Sequence, residues 1–459
     1  MYFGKKLSFS RTYNAVFVEF TDSLKAGLEK EIQVFYHGKP KEPNRTIPQD
    51  GGFIWDKDNI GNPWIQVVCQ GSGASIWWPN KDHLSDEPDS MKISVTVPDE
   101  LMEISNGTLL RTTKLTGKRI KYDWYVSYPI NNYNVTLNIG KYVSFNDSIG
   151  KEGDFGINYY VMPYNLTNAK KLFTQVKPLL SCYEKLYGEY PFKKDGLAII
   201  ETPYPMEHQS AVAIGKITDE RAKSSKEFLN LNFDGNLVHE VAHEWWGNNV
   251  SCKDMADIWI HEAFATYSEA MFVECEYGYE ISQQYLNEYK NKIKAKYPLV
   301  GVYNVNDFFY EIGDSYSKGS LFLNTLRHII DNDSLWFEIL KGLQIQFRYK
   351  TIDKNDVINY INKKSNLDLT PVFDQYLNYT SLPELLIKPI MENGVLNIEY
   401  KWNADVKDFN MPVKVSLSKG KTGFIYPTTS LKKIALENLN FKDFEVEEDE
   451  FLINVLFEE

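Results

Sequence analysis

His239, Glu240 and His243 stand in a His-Glu-Val-Ala-His run, and Glu262 follows after eighteen intervening residues. On an α-helix, positions four apart lie about 40° apart around the axis and about 6 Å along it, so His239 and His243 can turn both imidazoles toward one ion. Glu262, in a second helical stretch, offers a third ligand. Two imidazoles and one carboxylate leave a fourth tetrahedral position for water or substrate, which separates a catalytic zinc site from a closed structural one. Glu240 then sits beside the ion without having to bind it. A carboxylate so placed is the general base that peptide hydrolysis needs. The chemistry expected is hydrolysis at a single Zn2+.

These groups need rigid elements behind them. Asp234 is a candidate cap for the histidine helix, whose Leu237, Val238, Val241, Ala242 and Trp245 read as its buried face. Glu269, seven residues beyond Glu262 and on roughly the same helix face, reads either as an acceptor that holds a ligand histidine and fixes its tautomer or as an exposed helix carboxylate. His261 is about 100° round the helix from Glu262 and should point away from the ion. Upstream, Ala169 to Tyr187 reads as an amphipathic helix that Pro178 should kink or interrupt, and Gly196 to Ile200 as a buried strand.

Glu244-Trp245-Trp246-Gly247-Asn248 follow His243 directly, and Glu262 is embedded in Trp259-Ile260-His261-Glu262-Ala263-Phe264-Ala265. Together these resemble the aminopeptidase N family of gluzincin metallopeptidases, which also contains leukotriene-type epoxide hydrolases. The resemblance covers nearly the whole chain and is strongest from Met206 to Gly319. It implies a multidomain α+β fold: a β-sandwich or saddle N-terminal domain, a thermolysin-like α/β zinc catalytic domain and a small β-sandwich C-terminal domain. The corresponding boundaries are 1–155, 156–384 and 385–459. Relative to the family the first domain begins part-way through, and no segment corresponds to the helical domain of larger members.

The resemblance also carries residue roles. Tyr204-Pro205-Met206-Glu207-His208-Gln209 aligns with the family's Gly-x-Met-Glu-Asn motif, which implies that Glu207 holds the free amino terminus of a peptide and that Met206 lies along the substrate. Tyr204, Pro205 and His208 depart from that motif, and Pro205 has no N–H to donate to a substrate. Gln70, followed by Trp77-Trp78-Pro79 and Asp86-Glu87-Pro88, is implied to reach the site from the first domain. Tyr316-Ser317-Lys318-Gly319 resembles the catalytic tyrosine segment, and a phenol aimed at the carbonyl oxygen stabilises the charge that develops there. The function implied is a zinc-dependent aminopeptidase acting on peptides with a free N-terminus. The rivals are another gluzincin activity, endopeptidase or epoxide hydrolase, and a non-catalytic peptide-binding relative.

Composition bounds the rest. The chain has 459 residues, 43% of them hydrophobic and 24% charged, with a formal charge of −12. Without a lysine-rich block it offers no phosphate-binding face, so nucleic acid is not an expected partner. Cys69, Cys182, Cys252 and Cys275 form no CxxC pair and read mostly as core thiols. No apolar run is long enough for a membrane span, so a soluble protein is expected. The family points to the periplasm or the exterior, and a cytoplasmic location stays open. Alternating runs at Ala15–Val18, Ile32–Tyr36, Trp64–Val68, Ile93–Val97 and Val135–Ile139 predict N-terminal strands, and Leu396–Trp402 and Val413–Leu417 predict strands near the C-terminus.

Overall fold

The computed structural model describes residues 4–21, 23–44, 51–149, 155–219, 221, 229, 231–305 and 313–458. Two antiparallel sheets carry the N-terminal part. One orders Gly52–Lys57, Pro63–Val68, Leu137–Gly140 and Met102–Ser105; the other sets Arg119–Val126 between Met91–Pro98 and Thr108–Leu115. Trp64, Val67, Ile104, Trp124, Val126 and Val135 are buried in this part. The expected strand at Ala15–Val18 forms as Ala15–Glu19, but only as a hairpin with Ser8–Thr12 whose residues are all exposed. The run Ile32–Tyr36 forms no strand and lies exposed. Alternation makes a strand only where a neighbour can accept its backbone hydrogen bonds.

A five-stranded mixed sheet follows, ordered Val143–Ile149, Phe155–Val161, Leu197–Ile200, Ala211–Ile214 and Pro205–Met206. Leu197–Ile200 is buried throughout, as a strand covered on both faces must be. Pro205 lies in the edge strand, the place in a sheet where a missing N–H can be tolerated. The amphipathic stretch before this sheet's third strand is two helices, Leu166–Leu172 and Val176–Tyr187, separated by a 3-10 turn at Phe173–Gln175. The break precedes Pro178, which sits in the first turn of the second helix, where its absent N–H would have had no helical partner.

Three helices form the floor of the site: Gly235–Ala242, Trp259–Tyr277 and Gly313–Ile330. Asp234 caps the first by accepting from the Leu237 N–H at 2.8 Å, and the Arg221 guanidinium holds the same carboxylate through bonds of 2.6 and 2.8 Å. The second and third cross closely at Gly319, where an added Cβ would fall 2.6 Å from the Ala263 Cβ. Cys182 and Cys275 are joined in a disulfide that ties Val176–Tyr187 to the end of Trp259–Tyr277, whereas Cys69 and Cys252 are the buried thiols that composition suggested. With no local motif, a pair 93 residues apart becomes visible only when two helices pack.

Towards the C-terminus, Lys432–Leu436, Val395–Asn403, Glu384–Glu392 and Asn454–Phe457 form a four-stranded sheet, accompanied by the hairpin Val413–Ser418 and Lys421–Ile425. Trp402, Phe409 and Met411 are buried in this part, and the Trp402 indole donates to the Met411 carbonyl at 2.9 Å. The Tyr376 hydroxyl donates to the Leu452 carbonyl at 2.6 Å and fastens this unit to the last helix of the central part. No helix among the described residues is long and apolar enough to cross a membrane.

Candidate active site

His239 and His243 are the same tautomer, and their partners show why. The His243 Nδ1 lies 2.8 Å from the Trp246 carbonyl, which can only accept, so Nδ1 carries the hydrogen and Nε2 presents its lone pair. The His239 Nδ1 lies 2.8 Å from a Glu269 carboxylate oxygen, with the same result. The two Nε2 atoms then face each other at 3.1 Å, and the Glu262 Oε2 stands 3.4 Å from one and 3.5 Å from the other. That oxygen is buried and has no hydrogen-bond partner among the described residues. Three lone-pair donors converging this closely need a cation. Ligands at tetrahedral corners about 2.0–2.1 Å from a zinc ion are about 3.3–3.4 Å apart, so this donor set fits one Zn2+. The same demand appears in His239: burial opposes its charge, but Glu262 and Glu269 outweigh it and hold the imidazole well above its ordinary range.

All nine residues singled out in the sequence line one cavity of about 260 Å³: Gln70, Met206, Glu207, His239, Glu240, His243, Glu262, Glu269 and Tyr316. Glu207, Glu240 and His243 each bring a side-chain atom within 4.8 Å of the others. Burial pushes Glu240 up to about 8, with the charges of Glu207 and Glu262 adding to the rise against the two histidines. Glu207 is also raised, first by burial. The Tyr316 ring stacks beside that of His239 with centroids 5.7 Å apart. Burial and then the nearby carboxylates hold its hydroxyl well above the usual phenol range, which keeps it a hydrogen-bond donor.

Glu207 is held from several sides. The Gln70 amide donates to Oε1 at 2.7 Å, so this residue does reach across from the N-terminal sheets. The Asn248 amide donates to the Glu207 carbonyl at 2.9 Å and to Glu244 at 3.0 Å, and Glu244 also accepts from the Ser210 N–H at 2.9 Å. The segment after His243 is therefore a latch that fixes the Glu207 backbone against the histidine helix. Asn134, which begins a glycosylation sequon, is wholly buried and donates to Asn248 at 2.6 Å. His208 is buried with both ring nitrogens unpartnered among the described residues, and burial pushes it down to about 3.

Several contributors were not legible in the sequence. Tyr133 donates to Glu207 Oε1 at 2.8 Å. Tyr285 and Tyr289, the latter at 2.9 Å, donate to the Glu269 oxygen opposite the one that faces His239. With thirty tyrosines in the chain, nothing in their spacing marks these three. Lys318, in the Tyr-x-Lys-Gly run, does not enter the cavity: its ammonium caps the Tyr379 carbonyl at 2.6 Å.

With this geometry in hand, residues 172–376 match the model of the Peptidase family M1 domain. The chain is 21% identical over 446 residues to a probable aminopeptidase 2 of Sulfurisphaera tokodaii, covering 92% of this chain and 54% of that protein. It is 23% identical over 359 residues to human aminopeptidase B, covering 70% of this chain and 52% of that one. The chain thus spans about half the length of these curated relatives. Its fold is similar to a mutant M1 zinc metallopeptidase from Deinococcus radiodurans, with TM-score 0.67, 17% identity and coverage of 83% and 84% of the two chains. It is also similar to Legionella pneumophila aminopeptidase A in complex with aspartic acid, with TM-score 0.75, 16% identity and coverage of 90% and 49%.

Proposed function

We propose that this chain, whose residues 172–376 are a peptidase family M1 domain, is a zinc-dependent aminopeptidase that releases the N-terminal residue of oligopeptides. The observation that carries the reading is the buried Glu207 carboxylate beside the three-ligand set, with a side-chain atom within 4.8 Å of both Glu240 and His243. A carboxylate that close to the reacting centre binds a substrate ammonium one residue from the scissile bond and gives blocked or internal peptides no anchor.

His239, His243 and Glu262 would hold the ion. Zinc, when bound there, supplies Lewis acidity that polarises the scissile carbonyl and lowers the pKa of the attacking water. Glu240 takes a proton from that water and hands it to the departing amine. Tyr316 donates to the carbonyl oxygen as negative charge develops on it. Gln70 and Glu207 hold the ammonium, and Met206 in the edge strand lies along the first residue. Pro205 offers that substrate no backbone donor. Glu269 fixes the His239 tautomer and leaves Nε2 free for the ion.

Three domains accompany this reading, the second ending near 384; the first boundary falls before Val143 and not at 155, because Val143–Ile149 pairs with Phe155–Val161 in the five-stranded sheet. The Cys182–Cys275 disulfide supports a periplasmic or secreted location, since such bonds persist in oxidising compartments. The test is hydrolysis of aminoacyl anilides and of their N-acetylated counterparts by the zinc-loaded protein and by Glu207→Gln. Selective cleavage of the free amines, lost in Glu207→Gln, supports the proposal. Equal cleavage of both series by the wild type overturns it.

A further inference from the structure

We propose that His261 and Tyr133 form a positioning relay that aims the Glu207 carboxylate at the substrate's ammonium group. The proposal rests on Glu207 being the ammonium anchor, and its direction is set at the far end. The Cys252 backbone N–H donates to His261 Nε2 at 2.7 Å. A backbone N–H can only donate, so Nε2 is the bare nitrogen and Nδ1 carries the hydrogen. Nδ1 stands 3.4 Å from the Tyr133 oxygen, so that oxygen accepts from His261 and the phenol turns its own hydrogen to Glu207 Oε1 at 2.8 Å.

The Gln70 amide donates to that same Oε1 at 2.7 Å. One carboxylate oxygen therefore receives two side-chain donors, while Oε2 receives no side-chain donor among the described residues. Two donors on Oε1 fix the rotation of the carboxylate and leave Oε2 as the acceptor for an incoming ammonium. Tyr133 and His261 are completely buried, so water does not compete for these bonds.

Gly247 makes the arrangement possible. Its φ is +119°, and a Cβ there would lie 3.3 Å from both the His243 and His261 Nδ1 atoms, so only glycine lets the two rings flank this turn comfortably. His261 adjoins Glu262, so the relay links the helix that bears a metal ligand to the anchor just after the Pro205–Met206 strand. An exposed or merely space-filling histidine would have no need of two directed partners.

The test uses zinc-loaded Tyr133→Phe, His261→Asn and the double variant, with KM and kcat for a free aminoacyl anilide, zinc content and thermal unfolding measured for each. A hydrogen bond to a charged group is large enough that Tyr133→Phe is expected to raise KM about tenfold, with kcat changing much less and zinc retained. His261→Asn is expected to raise KM in the wild-type background and to add nothing in the Tyr133→Phe background, because it acts through that hydroxyl. Unchanged KM in Tyr133→Phe, or an equal His261→Asn effect in both backgrounds, overturns the relay. If Tyr133→Phe does not fold, the KM of His261→Asn alone decides. Wild-type protein that cleaves N-acetylated anilides as well as free ones overturns the anchor and the relay with it; a free-amine preference in the wild type together with an unchanged KM in Tyr133→Phe overturns the relay alone.

Discussion

The Nε2 atoms of His239 and His243 face each other across 3.1 Å while the Nδ1 of each is engaged by an acceptor, Glu269 in one case and the Trp246 carbonyl in the other. Such a pair is stable when a cation sits between it and Glu262. Chelation should therefore lower the unfolding temperature, and one molar equivalent of zinc should restore it, with a stabilisation of about 2.7 kcal/mol when free zinc exceeds its dissociation constant about a hundredfold. Glu269→Gln weakens the support of His239 and should reduce zinc affinity at least about tenfold in a chelator competition. Unfolding that ignores both chelator and zinc would contradict this reading.

Gly319 marks where the tyrosine-bearing helix meets the helix that carries Glu262. A methyl at Gly319 would lie 2.6 Å from the Ala263 Cβ, so Gly319→Ala must push the helices apart. The expected cost is about 1–3 kcal/mol of stability, with kcat reduced because Tyr316 moves with its helix. Gly313→Ala in the same helix meets nothing within 4 Å among the described residues and should be neutral or slightly stabilising. Equal denaturation midpoints for the two variants would show that the crossing is not close.

The facing of His239 and His243 was legible because a four-residue spacing on a helix turns both side chains to one side, and the bond from His239 to Glu269 was one of the two outcomes that the spacing of Glu269 allowed. Gln70 and Glu207 were readable only through resemblance, since nothing local announces that residues 137 apart will share a hydrogen bond. Tyr133 and His261 were harder still. The angle of His261 around its helix showed where it does not point, but its partners come from the turn at Cys252 and from Tyr133, and their meeting is a product of packing. Ile32–Tyr36 shows the complementary case: its pattern was right for a strand, yet the run forms none and lies exposed.

Glu103 gives a pH dependence that is separate from the catalytic site. It is fully buried, accepts one bond from the Trp124 indole at 2.8 Å, and leaves its other oxygen unpartnered among the described residues. Burial pushes it up to about 8 from an ordinary 4.5. Between those values the folded protein holds a proton that the unfolded chain has released, so this group makes stability fall as pH rises through the window. Glu103→Gln has no such proton. The unfolding temperature of Glu103→Gln relative to wild type should therefore climb from pH 5 to pH 8; a constant difference would contradict the assignment.

The Cys182–Cys275 bond makes a simple chemical prediction. Denatured but unreduced protein should show two reactive thiols, from Cys69 and Cys252, and four after reduction. Reduction, or Cys182→Ser, should cost about 2–5 kcal/mol of stability in a denaturant titration. Four thiols before reduction of protein prepared under oxidising conditions would contradict the pairing.

The most direct test of the central claim is mass spectrometry of an unblocked oligopeptide and its N-acetylated twin after incubation with the zinc-loaded chain and with Glu240→Gln. The expected result is a ladder of products shortened one residue at a time from the free N-terminus, an intact acetylated twin, and no products with Glu240→Gln although it still binds zinc. Internal cuts, equal digestion of the twin, or undiminished activity in Glu240→Gln would contradict it.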